Sequence, residues 1–204
     1  MRVEMKKVLS ICAFVLVAGA VFAAPKASRA LAELNGRGSQ VKFQDLTVEG
    51  MQPVKVADIP GKGEYYNIHS VDLTGEWKTF TISFVPTGKS FIFSFRGGPT
   101  HGNWVDYDDV KVEGAELYNP SFEIINGNNE IDGWRYYNAN SAKVGQSDAG
   151  EGKNYVTCSA LAAIRQGMKT VPGQKVTITF KARAGQPVPA GKKGWASSGS
   201  RKVF

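Results

Sequence analysis

From Val41 onward apolar and polar residues alternate with a period of two, and no segment carries an apolar stripe at helical spacing over three turns. Between Trp77 and Val85, Phe80, Ile82 and Phe84 fall on one side and Thr79, Thr81 and Ser83 on the other. Phe91, Phe93 and Phe95 repeat the pattern against Ile92, Ser94 and Arg96. Successive side chains of a strand point to opposite faces, so such segments make half-buried strands. The same reading predicts strands in Tyr65 to Leu73, Trp104 to Val112, Ser121 to Ile125, Gly133 to Tyr137, Lys153 to Ser159, Ala163 to Met168 and Lys175 to Ala184. Turn formers such as Pro86-Thr87-Gly88, Asn126-Gly127-Asn128-Asn129 and Pro172-Gly173 separate them. About ten short strands at regular spacing describe an all-β chain folded as an antiparallel β-sandwich. Phe80, Phe84, Phe91, Phe93, Phe95 and Phe180 share the inward parity and are its expected core.

The two ends of the 204-residue chain read differently. Met1 to Lys7 is basic, Val8 to Ala20 is an unbroken run of apolar or small residues, and Val21-Phe22-Ala23 offers a cleavage site, so residues 1–23 read as a signal peptide. Export to the periplasm or the extracellular space is the expectation, without membrane insertion, since no later run is long enough to span a bilayer. Residues 24–39, small, polar and basic with a helix-compatible stretch from Ala27 to Leu34, read as a flexible leader. The sandwich is expected over residues 40–188 and a disordered tail over 189–204.

Cleavage removes Cys12 and leaves Cys158 without an intrachain partner, so the fold holds by its core alone. Cys158 lies among Tyr155, Val156 and Leu161 and reads as a small buried hydrophobe rather than a nucleophile, because neither His69 nor His101 is near it in sequence. The formal net charge of +7 is concentrated in the last third but is spread along strands and tail rather than gathered in a run. That pattern disfavours nucleic acid as a partner and leaves acidic glycans and anionic envelope surfaces open.

Tyr118-Asn119-Pro120-Ser121-Phe122-Glu123 followed by Gly133-Trp134 resembles the opening strands of carbohydrate-binding modules with the galactose-binding-like jelly-roll fold. Ile164-Arg165-Gln166 and the run from Val171 to Arg183 resemble the middle of those modules. Leu73 to Phe80, and Asp106-Tyr107-Asp108-Asp109-Val110, resemble their closing strands. The motifs cover most of Val41 to Ala184, with the closing strands ahead of the opening ones. Two arrangements give that order: one circularly permuted jelly roll, or the end of one module joined to the start of another. Permutation is favoured, because two half modules would each expose open sheet edges. It predicts a short hairpin at Glu113 to Glu116 that pairs the strand at Asp106 to Val112 with one at Asn119 to Ile125.

No nucleophile motif, His pair or metal-type His/Cys spacing is present, so the chain does not read as an enzyme. The resemblance implies a polysaccharide or cell-surface glycan as partner, held by aromatic faces against pyranose C–H surfaces with planar polar side chains on the hydroxyls. Tyr65, Asn67, Arg96, Trp104, Tyr136 and Tyr137 are the residues expected to touch it. The rival is a structural or adhesion sandwich of the cell envelope that binds protein, since jelly rolls host many functions. The resemblance also implies a structural calcium tying the first strand to the last through Asp109 and Glu123, with oxygens from Asn119 and Ser121. The alternative for these carboxylates is a turn cap at Asp108 and Asp109 and a surface pair at Glu123.

Overall fold

The computed structural model describes residues 29–97, 104–137, 142–146, 148–159 and 162–185. The expected signal peptide and tail lie outside the described residues. The described chain is all strand and loop, in two antiparallel sheets packed face to face. The first sheet runs in the order β3 (Met51–Ile59), β4 (Gly63–Ser70), β1 (Leu31–Asn35), β6 (Ser90–Arg96), β12 (Ala163–Thr170) and β8 (Ala115–Glu116), and β9 (Arg135–Tyr137) also pairs with β12. The second runs β10 (Ala142–Gly145), β11 (Tyr155–Ser159), β7 (Trp104–Glu113), β13 (Val176–Gly185), β5 (Lys78–Pro86) and β2 (Phe43–Glu49).

The two halves of the sequence interleave. β12 pairs with β6 in the first sheet, and β13 lies between β5 and β7 in the second. Neither half therefore owns a complete sheet, and the chain forms one sandwich rather than two half modules. The expected link between the halves is not formed. At Gly114 (φ +76°) the chain leaves β7 and crosses to the first sheet, where Ala115 and Glu116 pair with Thr170 and Lys169. A Cβ at Gly114 would sit 2.1 Å from the Lys175 carbonyl oxygen, so the crossing needs glycine twice over, for its dihedral and for the close approach. Asn119 to Ile125 is a loop outside the named strands whose isolated β-bridge pairs Ile125 with Ile131, and the partners of β7 are β11 and β13.

The expected leader is also corrected. Leu31–Asn35 forms β1, hydrogen-bonded to β4 on one side and β6 on the other, with Ala32 and Leu34 fully buried. Ala, Leu and Glu favour helix in isolation, but a strand that completes two ladders and buries two apolar side chains overrides so small a preference.

The core is aromatic and follows the period-two reading. All six phenylalanines expected inside are buried. Phe95 of the first sheet stacks on Tyr107 of the second at 4.4 Å between ring centroids and meets Phe180 edge-on at 4.9 Å. Phe43, Phe84 and Phe91 form a second group of edge-to-face contacts. Trp134 stacks on Phe95 from the loop after β8, and Phe122 packs against both.

Tyr107 adds a polar tie to this apolar contact. Its hydroxyl crosses the core, accepts the Leu31 backbone N–H at 2.9 Å and donates to the Arg96 carbonyl. Tyr107→Phe keeps the ring and removes the bonds that its fully buried hydroxyl makes to the Leu31 N–H and the Arg96 carbonyl. Denaturant unfolding should show a loss of about 1–3 kcal/mol, the cost of leaving buried backbone groups unpaired.

Candidate functional site

The two outer faces of the sandwich differ in what covers them. Over the second sheet the segment between β10 and β11 lies against the strands. The Trp77 indole donates to the Asp148 carbonyl at 3.1 Å, Lys181 donates to the Gly150 carbonyl at 2.9 Å, and the Glu151 backbone N–H donates to Asp108 at 2.8 Å. Beneath it, the Arg183 guanidinium lies 4.3 Å from the Trp77 ring centroid, 5.3 Å from that of Tyr155, and pairs with Asp106 at 3.0 Å and with Asp148. The protein's own side chains occupy this face.

The outer face of the first sheet has no such cover among the described residues. Register fixes what it displays. One row of Cα partners runs Val54, Asn67, Glu33, Ser94, Arg165 and Arg135 across β3, β4, β1, β6, β12 and β9. The flanking rows, two residues away along each strand and so on the same face, carry His69, Leu31, Arg96, Ala163 and Tyr137 on one side and Tyr65, Asn35, Ile92 and Gly167 on the other. A cavity of about 380 Å³ opens among Glu33, Asn35, Tyr65, Ser94, Arg96, Tyr137 and Arg165. A second of about 420 Å³, lined by Gly133, Arg135, Gln166 and Gly167, shares Ile92 and Arg165 with the first.

Glu33 organises the floor. It is 6% exposed, and its Oε1 accepts the Tyr65 hydroxyl at 2.6 Å and lies 2.6 Å from Arg96 Nε. A carboxylate this deep in a central strand persists only when paired and hydrogen-bonded, and both partners project from neighbouring strands. Burial, then the bond to Glu33, pushes the Tyr65 phenol well above its usual range, so it remains a donor. Beside Glu33, Asn67 Oδ1 is a buried acceptor without a partner among the described residues.

Of the six residues expected at a ligand, Tyr65, Asn67, Arg96 and Tyr137 share this face. Tyr136 does not, because neighbours on a strand point to opposite sides: it packs on the core, and its hydroxyl oxygen accepts the Ile131 N–H at 2.9 Å. Trp104 belongs to the second sheet, where Lys143 lies 5.7 Å from its ring centroid. His101 lies outside the described residues. Glu33, Arg135 and Arg165 are the site residues that sequence reasoning missed. Glu33 alternates with Ala32 and Leu34 in a segment whose composition reads as leader, and Arg165 falls in a motif that resembles the middle of carbohydrate-binding modules without marking a ligand contact.

The residues expected to bind calcium are otherwise engaged. Both oxygens of Asp109 carry a lysine ammonium, Lys111 and Lys181, each at 2.9 Å. Burial pushes the Asp109 carboxyl up, and the two ammoniums outweigh it and hold it below its usual range. Glu123 Oε1 accepts the backbone N–H groups of Lys153 and Asn154 at 2.9 and 3.0 Å. Asn119 is the staple of its own loop, bonding Ile124 through both its amide nitrogen and oxygen and accepting the Trp134 indole N–H on its carbonyl. Ser121 lies in the same loop, outside any strand. Among the described residues no group of three or more His, Cys, Asp or Glu side chains is placed to hold a metal ion.

Cys158 is wholly buried and burial pushes its thiol up, which keeps it an inert hydrophobe. No helix among the described residues is long and apolar enough to cross a membrane. No protein family, curated protein or solved structure matches this chain, so the likeness to carbohydrate-binding modules rests on its motifs.

Two measurements follow from the sealed face. Burial pushes Asp108 up to about 6, against the Glu151 and Asp109 amides that draw it down. The folded chain thus holds this proton more tightly than the unfolded one, whose aspartates titrate near ~3.9. The Asp108 contribution should therefore weaken stability as pH rises from about 4 to 6, by roughly 1–2 kcal/mol after allowance for solvent screening. Asp108→Asn should remove that slope from unfolding curves taken across this range. The lysine pair on Asp109 predicts a melting temperature that neither calcium nor EDTA moves.

Proposed function

We propose that this chain is a secreted, non-catalytic glycan-binding module of galactose-binding-like jelly-roll kinship, and that the open outer face of the first sheet is its binding face. The observation that carries the reading is the pair of tyrosines, Tyr65 from β4 and Tyr137 from β9, facing one polar cavity whose floor is Glu33, Asn35, Ser94 and Arg96. Aromatic rings supply apolar area against sugar C–H faces at little entropic cost, and planar amide, carboxylate and guanidinium groups match vicinal hydroxyls. The buried carboxylate of the face is held by Tyr65 and Arg96, which suits positioning better than proton transfer. Tyr137 is 53% exposed, with the Arg165 guanidinium 6.0 Å from its ring centroid.

A glycan array probed with the purified protein tests this directly. At least one polysaccharide or oligosaccharide class should bind, and Tyr137→Ala should weaken that binding about tenfold, the loss of one aromatic contact worth ~1.4 kcal/mol. Trp104→Ala, on the opposite sheet, should leave it unchanged. Silence across the array would favour a structural sandwich of the cell envelope that engages protein.

A further inference from the structure

The face just assigned to a glycan has an uncompensated charge at one end. Arg135 and Arg165 are direct cross-strand partners in the β9–β12 ladder. Like charges opposite one another on antiparallel strands are destabilising, and opposite charges are the usual arrangement. Arg96, on the neighbouring row, has Glu33. Neither Arg135 nor Arg165 has a carboxylate partner among the described residues, and the Arg165 guanidinium lies 6.0 Å from the Tyr137 ring centroid. Both arginines line the 420 Å³ cavity. Gly167 also lines it, and an added Cβ there would meet nothing within 4 Å, so the space beside it is kept free by the absence of a side chain.

Two guanidiniums over an open cavity, joined through Arg165 to the tyrosine-flanked one, form a fork for an oxyanion. We infer that the cavity between Arg135 and Arg165 takes the anionic group of an acidic saccharide, a uronate carboxylate or a sulfate ester, while the rest of the sugar lies toward Tyr137 and Tyr65. Guanidinium binds planar or tetrahedral oxyanions through paired charge-assisted hydrogen bonds, and the anion would also relieve the repulsion between the two arginines. This inference rests on the glycan-binding reading and adds the class of ligand.

Matched polymers test it: polygalacturonate against its methyl ester, and dextran sulfate against dextran, by calorimetry at low and moderate salt. The expected result is that polygalacturonate or dextran sulfate binds at least about tenfold more tightly than its neutral counterpart, and which of the two does so identifies the anion. Arg165→Gln and Gly167→Val should each lower that affinity about tenfold or more, the first by removing charge and the second by filling the cavity in a strand that accepts valine. Arg135→Gln should weaken binding too, and it should raise the melting temperature of the free protein or leave it unchanged, because it ends a like-charge opposition. Equal binding of charged and neutral polymers overturns the anion site and leaves glycan binding standing. So does acidic-polymer binding that survives both Arg165→Gln and Gly167→Val. Failure of every polymer, charged or neutral, across the array as well, overturns both readings.

Discussion

The sandwich depends on β1 lying between β4 and β6. Without those five residues the first sheet has no continuous ladder, β3 and β4 would form an isolated hairpin, and the strand that carries the buried carboxylate of the open face would be missing. β1 is also the strand to which the second sheet is tied by a hydrogen bond through the core, from Leu31 to the Tyr107 hydroxyl. Tyr107 stacks on Phe95 in the same place, so the apolar contact between sheets and the polar one share a side chain. Its phenol is pushed far up, chiefly by burial, and so the group that bridges the sheets stays neutral at every ordinary pH.

Connectivity then decides which outer face remains open. β10 and β11 are neighbours in the second sheet, and the segment joining them folds back over β7 and β13, pinned by Asp108, Glu123, Lys181 and Trp77. Each of those contacts uses a backbone N–H or C=O of the covering segment, so it is held as a strap rather than by side-chain packing alone. The first sheet receives no comparable strap among the described residues. The loop after β8 reaches only its far end, where Gln166 donates to the Tyr118 and Gly133 carbonyls and Trp134 enters the core.

Much of this fold is written in the alternation of the sequence. The phenylalanine ladders at 80–84 and 91–95 needed no tertiary information, because burial of every second residue is the condition for a strand on a core. Three things were not local. The helix-favouring composition of Leu31–Asn35 hides a strand that only its two neighbours justify. The turn at Asn119 reads as a strand because Phe122 is apolar, but Asn119 and Phe122 both adopt positive φ, and the Asn119 side chain satisfies the turn. Which sheet a strand joins is not encoded in its period at all, and this is why Trp104 was grouped with residues that lie on the other side of the molecule. For Tyr136 and Tyr137 the information was present, since adjacent strand residues cannot share a face.

The polar groups of the two outer faces obey different rules. On the second sheet, Asp106, Asp109, Arg183 and Lys181 form pairs, and the buried Asp108 carboxyl accepts the backbone N–H groups of Asp109 and Glu151. On the first, three departures from ordinary strand chemistry stand within one row of register partners: a buried glutamate in a central strand, an asparagine oxygen with no donor among the described residues, and two arginines directly opposed. Each costs stability, and threonine or serine at these four positions would avoid the cost. Local rules are broken together where something other than folding is served. The charged groups of the sealed face are paired with one another or with backbone N–H groups, whereas the open face keeps, among the described residues, an acceptor and two cations unmatched beside two tyrosines.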